Sequence, residues 1–136
     1  MPANTRPIFP LTPNIAFSRL TAANTATDGT GTVVTIFTAG AEGARVDKVV
    51  VVPGGANVAT VLRLFINNGA APTTPANNVL FKEIPLPVTS ASATRENGPT
   101  FEIPLDLSLP AGWRLNVVIG TAVSAGWHVT AVGGNY

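Results

Sequence analysis

No cysteine occurs among the 136 residues, so neither a disulfide framework nor a thiolate metal site is open to this chain. Charge is scarce as well. Asp, Glu, Lys and Arg make up 11% of the sequence, against about 25% in an ordinary soluble domain. The net charge of +1 gives no clustered basic face of the kind that nucleic acid needs. No apolar run approaches the ~20 residues of a membrane-spanning helix, and the first residues lack the basic-then-apolar order of a signal peptide. Neither a nucleic-acid nor a membrane partner is therefore expected. Helical patterning is missing too, since no stretch repeats its apolar residues at intervals of three and four.

What is present is apolar and heavily punctuated. Hydrophobic residues reach 46%, and 13 Gly and 12 Pro separate short segments rich in Val, Thr, Ile and Phe. That pattern reads as all-β, in one domain long enough to bury a core without cross-links. Residues 1–13 carry prolines at 2, 7, 10 and 13. Proline fixes φ and removes a donor, so this piece is expected to be an extended arm that cannot serve as a central strand. Ile8, Phe9 and Leu11 make the arm adhesive, either to its own domain or to a neighbour, a disordered tail being the alternative. Residues 14–136 then form a single sandwich domain.

Strands are expected over 14–22, 32–38, 45–52, 58–67, 79–88 and 100–109, at the spacing of a sandwich. Between the first two, Asp28-Gly29 supplies turn chemistry. Pro85 and Pro87 place the end of their strand at a sheet edge or a bend. Over 100–109, Phe101, Ile103, Leu105, Leu107 and Leu109 share one face, and Glu102, Pro104, Asp106 and Ser108 share the other. The closing stretch holds two more strands, each introduced by Ala-Gly-Trp at 111–113 and 125–127. In the first, Trp113, Leu115, Val117 and Ile119 fall on one face, Arg114 and Asn116 on the other. This pair is expected to form a hairpin in the core. Eight strands with long connections suggest an antiparallel jelly roll of two four-stranded sheets, an immunoglobulin-like sandwich being the open alternative.

Chemistry is hard to find. His128 is the single histidine, flanked by Trp127 and Val129, with no local partner to make it a general base. Glu102 and Asp106 share a strand face but stand ~13 Å apart at the usual strand rise, outside the range of a glycosidase pair. Asp28 offers one carboxylate, too few for calcium. Gly54-Gly55 lacks the Lys-Ser/Thr of a phosphate loop. Trp113 and Trp127 could stack a sugar ring, yet Trp113 lies on the apolar face and reads as core. No catalytic residue, cofactor or metal is expected.

The anomaly is apolar residues on both faces of some strands. Val61 and Phe65 lie opposite Leu62 and Leu64, and Val49 and Val51 opposite Val50 and Val52. A sandwich buries one face of each sheet, so the others need cover from loops, the arm or other subunits. Val61 and Phe65 are the side chains expected at a contact between copies.

The Leu109-Pro110-Ala111-Gly112 phrase leading into a strand, and the final Gly133-Gly134-Asn135-Tyr136, resemble the C-terminal end of small all-β virion proteins of tailed bacteriophages. The likeness covers about the last 28 residues, and Asn135 stands where that group often has an acidic residue. It implies a non-enzymatic structural protein of the virion, of the jelly-roll head decoration type, assembled in the host cytoplasm. Its implied partners are further copies of itself, as a homotrimer, and the major capsid protein or other virion proteins. A reading of a different class is a glycan- or receptor-binding module of a fibre or tail, with loops 68–77 and 89–99 as its binding surface.

Overall fold

The computed structural model describes residues 9–136. Their strands are β1 (Thr12–Leu20), β2 (Val34–Thr38), β3 (Ala44–Pro53), β4 (Thr60–Asn67), β5 (Asn78–Leu86), β6 (Phe101–Leu109), β7 (Arg114–Ile119) and β8 (Trp127–Asn135), with one short 3-10 turn at Pro75–Asn77. The eight expected strands are all found. They make two four-stranded sheets, in the orders β1-β8-β3-β6 and β2-β7-β4-β5, and every neighbouring pair is antiparallel.

Those orders hold a regularity. β1 pairs with β8, β2 with β7, β3 with β6 and β4 with β5. The chain is thus a long double-stranded ribbon that turns at 68–77 and is rolled up, successive rungs falling in alternate sheets. This corrects the expected closing hairpin. β7 and β8 lie in opposite sheets, and residues 120–126 carry the chain across between them. The placement in the core does hold, because each is an inner strand of its sheet.

Alternation decides what points inward. In β7, Leu115, Val117 and Ile119 join the core cluster, with Trp113 packed against it. In β6, Ile103 and Leu109 are buried, while Glu102, Pro104, Asp106 and Ser108 are exposed. Trp127 closes the core from β8, fully buried and with its ring 6.2 Å from that of Phe101. Prolines within strands stay where a missing N–H does least harm. Pro13, Pro85 and Pro104 lie in the edge strands β1, β5 and β6, and Pro53 ends β3.

β1 begins at Thr12, so residues 12–13, expected in the arm, belong to the sandwich, Pro13 lying opposite Gly134. β3 is irregular in the middle. Its register with both β6 and β8 shifts between Val46 and Lys48, and Asp106 across from the shift has φ 46. The backbones crowd at this bulge. A Cβ on Gly133 would overlap the Arg45 carbonyl oxygen, so only glycine lets β8 run this close to β3.

The loops divide between the two ends of the sandwich. Residues 39–43, 68–77 and 110–113 lie at one end, beside Leu11, whose N–H donates to the Asn135 carbonyl at 2.7 Å. Residues 21–33, 54–59, 87–100 and 120–126 leave from the other. There, buried Asn57 accepts from the Gly126 N–H at 2.8 Å and donates to its carbonyl at 3.0 Å. Asn57 also exchanges backbone bonds with Thr89, and the Thr89 hydroxyl donates to Gly55. Three loops are pinned by this one buried polar knot.

Candidate interaction surface

The side chains capable of chemistry lie apart. Glu102 accepts from Lys48 at 3.3 Å, and Asp106 from Arg45 at 3.1 Å, so each carboxylate on the outer face of β6 faces its own cation on β3. His128 is exposed on β8, with Arg19 and Val52 as register neighbours, and it forms no salt bridge among the described residues. The Asp28 carboxylate accepts from the N–H and hydroxyl of Thr30, and these bonds hold its pKa below the usual aspartate value. That is a capped turn. Among the described residues, no three His, Asp or Glu side chains gather as a metal would need.

Two concave sites among the described residues are small. One cavity of about 120 Å³ lies where the chain leaves β1, among Arg19, Leu20, Val34 and Val117. Another, of about 260 Å³, is an open trough over Gly133 and Gly134, walled by Leu11, Pro13 and Asp47. Both fall short of the roughly 300–1,000 Å³ of a ligand pocket. Fully buried Trp127 has no face to offer a sugar, and half-buried Trp113 packs on the core. Loops 68–77 and 89–99 leave opposite ends of β5, a nine-residue strand about 30 Å long at the usual rise. They do not form one binding surface.

The two outer faces of the sandwich are where the molecule differs from the sequence reading. On the β2-β7-β4-β5 sheet, Phe65, Asn116 and Val118 face outward yet are buried. Their cover is the chain's own 21–33 loop. It leaves beside β7, where the Asn24 N–H donates to the Ile119 carbonyl at 2.8 Å. It is tied next to β5 where Asn78 donates to the Asp28 carbonyl at 3.2 Å. A Cβ on Gly29 would fall 2.6 Å from that of Asn78, so the loop lies tight against the strand. Asn24 holds it closed through the Thr30 and Thr32 carbonyls.

Phe65, expected at a contact between copies, is therefore 0% exposed within a single chain. It has no surface to give a partner. Val61 is half-buried beside Gly120.

Among the described residues, the outer face of the β1-β8-β3-β6 sheet has no such loop. Its β3–β6 half is charged, with Arg45, Asp47, Lys48, Glu102 and Asp106 in ion pairs. Its β1 half is apolar and bare. Ile15 is 60% exposed and Phe17 80%, and the row continues through Leu11 at 84% and Phe9 at 72%. Phe9 and Leu11, expected to be adhesive, are exposed; Ile8 lies outside the described residues. Ile15 and Phe17 are not among the residues expected at a contact. The signal was parity, since Ala16 and Ser18 share a face with buried Leu20, which turns Ile15 and Phe17 outward. Compared with protein-family models, curated proteins and solved structures, the chain matches none.

Proposed function

We propose that this protein is a non-enzymatic structural component of a tailed-bacteriophage virion, a capsid decoration or stabilising protein that acts by contact with neighbouring subunits. The bare apolar row from Phe9 to Phe17 carries the reading, because contiguous exposed apolar surface marks an interaction site. Two further features support it. The two four-stranded antiparallel sheets support a jelly-roll reading, an architecture recurrent in viral capsid domains. The closing residues carry the resemblance to virion proteins described above. Fold alone would not specify function, and the apolar row supplies the argument that the fold lacks.

The mechanism is burial. Covering the row against another copy or the major capsid protein removes apolar side chains from water at about 25 cal/mol per Å², offset in part by lost freedom of motion. Many such contacts, repeated over a shell, resist its expansion. Mass spectrometry of purified particles from the source phage tests the assignment. The expected result is this chain at a copy number comparable with that of a shell subunit. Its absence from purified particles overturns the reading.

A further inference from the structure

Among the described residues the sandwich has four edge strands, and three of them are blunted against pairing with another chain. β2 has five residues and a register break between Thr35 and Phe37. β5 carries Lys82, Glu83 and Pro85 and a break opposite Leu64 and Phe65. β6 carries Glu102, Pro104 and Asp106 and faces the bulge in β3. Short length, charge, proline and bulges are the devices by which sheet edges avoid association. β1 has almost none of them. It runs nine residues in unbroken register with β8. Its one proline is second in the strand and its one charge, Arg19, second from the end. No backbone hydrogen bond joins it to β2, the strand beside it in the other sheet. This unprotected edge also bears the exposed Ile15 and Phe17.

We propose that β1 is the edge through which two copies of this chain pair, antiparallel, into a sheet continuous across a two-fold axis. The proposal rests on the reading that the protein works by subunit contacts, and it names the contact. A second copy fits for three reasons. Antiparallel pairing of identical strands is self-complementary. It sends the two Arg19 side chains to opposite ends of the pair, so the edge meets no like charge. The odd-numbered apolar residues of both strands then lie on one face as cross-strand neighbours, where aromatic and β-branched side chains favour each other.

The area is of the right order. At the usual size of an aromatic side chain, exposed Phe9 and Phe17 contribute about 300 Å² per copy, before Leu11, Ile15 and the strand backbone are counted. A specific interface takes about 800 Å² per partner. Two-fold pairing joins two copies, where the resemblance implies three.

Sedimentation velocity of the full chain at micromolar concentration, with amide hydrogen exchange on the same sample, tests the pairing. The expected result is a dimer in which the β1 amides facing away from β8 exchange slowly. The double variant Ile15→Lys/Phe17→Lys should weaken dimerisation about 100-fold by setting like charges across the axis, and should free those amides. Both side chains are exposed, so the thermal midpoint of the variant monomer should stay near that of wild type. If the double variant does not fold, Phe17→Glu alone serves. A monomeric or trimeric wild type overturns the proposal, and so does a dimer with freely exchanging outward β1 amides or one that survives the charges. A monomer that still binds phage particles sinks the pairing alone; a dimer that binds none sinks the virion reading alone.

Discussion

Phe65 and Phe17 both sit on outward faces of their sheets, the first 0% exposed and the second 80%. Strand position does not separate them, because each follows the alternation of its own strand. The connection between β1 and β2 does. Residues 21–33 run across the β2-β7-β4-β5 sheet and are tied at Ile119 and Asn78. Among the described residues, the connections on the other side of the sandwich leave the β1-β8-β3-β6 sheet uncovered. The same loop therefore decides which apolar outer face is spent on the chain's own stability and which is left for a partner.

The largest expected effect comes from exchanging the two phenylalanines for alanine one at a time. Phe65→Ala should cost about 3–5 kcal/mol, as for other fully buried aromatics. Phe17→Ala should fall within about 0.5 kcal/mol when measured on the monomer. Urea unfolding followed by tryptophan fluorescence reads both. Equal losses would mean that the loop does not cover Phe65.

A smaller effect tests the tie. Asn78→Ala removes the bonds to the Asp28 and Pro72 carbonyls and the one accepted from the buried Asn67 amide, and should cost about 1–3 kcal/mol. The sharper readout is local. Residues 25–32 should become several times more sensitive to protease while β3 and β8 stay protected. Uniform loss of protection would show that the loop and the sheet open as one unit.

The smallest concerns the turn at the loop's tip. Thr30 donates to the Asp28 carboxylate and lowers its pKa, so the ionised form is the one stabilised in the folded chain. That contribution is present above the ordinary aspartate range and fades as pH falls through the lowered folded value. Asp28→Asn should accordingly flatten a shallow acid-side slope, lowering the thermal midpoint slightly at neutral pH and leaving it nearly unchanged in acid. A variant with the wild-type slope would remove Asp28 from the account.

Local chemistry made much of this fold legible before any coordinates. Alternation in 100–109 and 113–119 placed the core faces correctly because those strands alternate large apolar with polar side chains. Pro85 marked β5 as an edge because a missing N–H is tolerated only at an edge or a bend. Phe65 was misjudged as interface because its cover is a Gly- and Thr-rich loop with no apolar signal of its own. The closing hairpin was misjudged because sequence adjacency favours pairing, whereas Gly120–Gly126 crosses between sheets. Ile15 and Phe17 were not expected at a contact because β1 is weakly patterned, and only buried Leu20 fixes its parity.

β1 is made first and its ladder partner last. Trp127, opposite Leu20, leaves the ribosome on the order of 5–20 s after it at the usual rates of synthesis. Through that interval no cognate strand exists to pair with Ile15 and Phe17. Long-range closure of this kind folds slowly, and the nascent chain must carry an apolar edge through it. The scarcity of charge along β1 thus becomes a liability in time, and chaperone demand should fall sharply once β8 is free to pair with it.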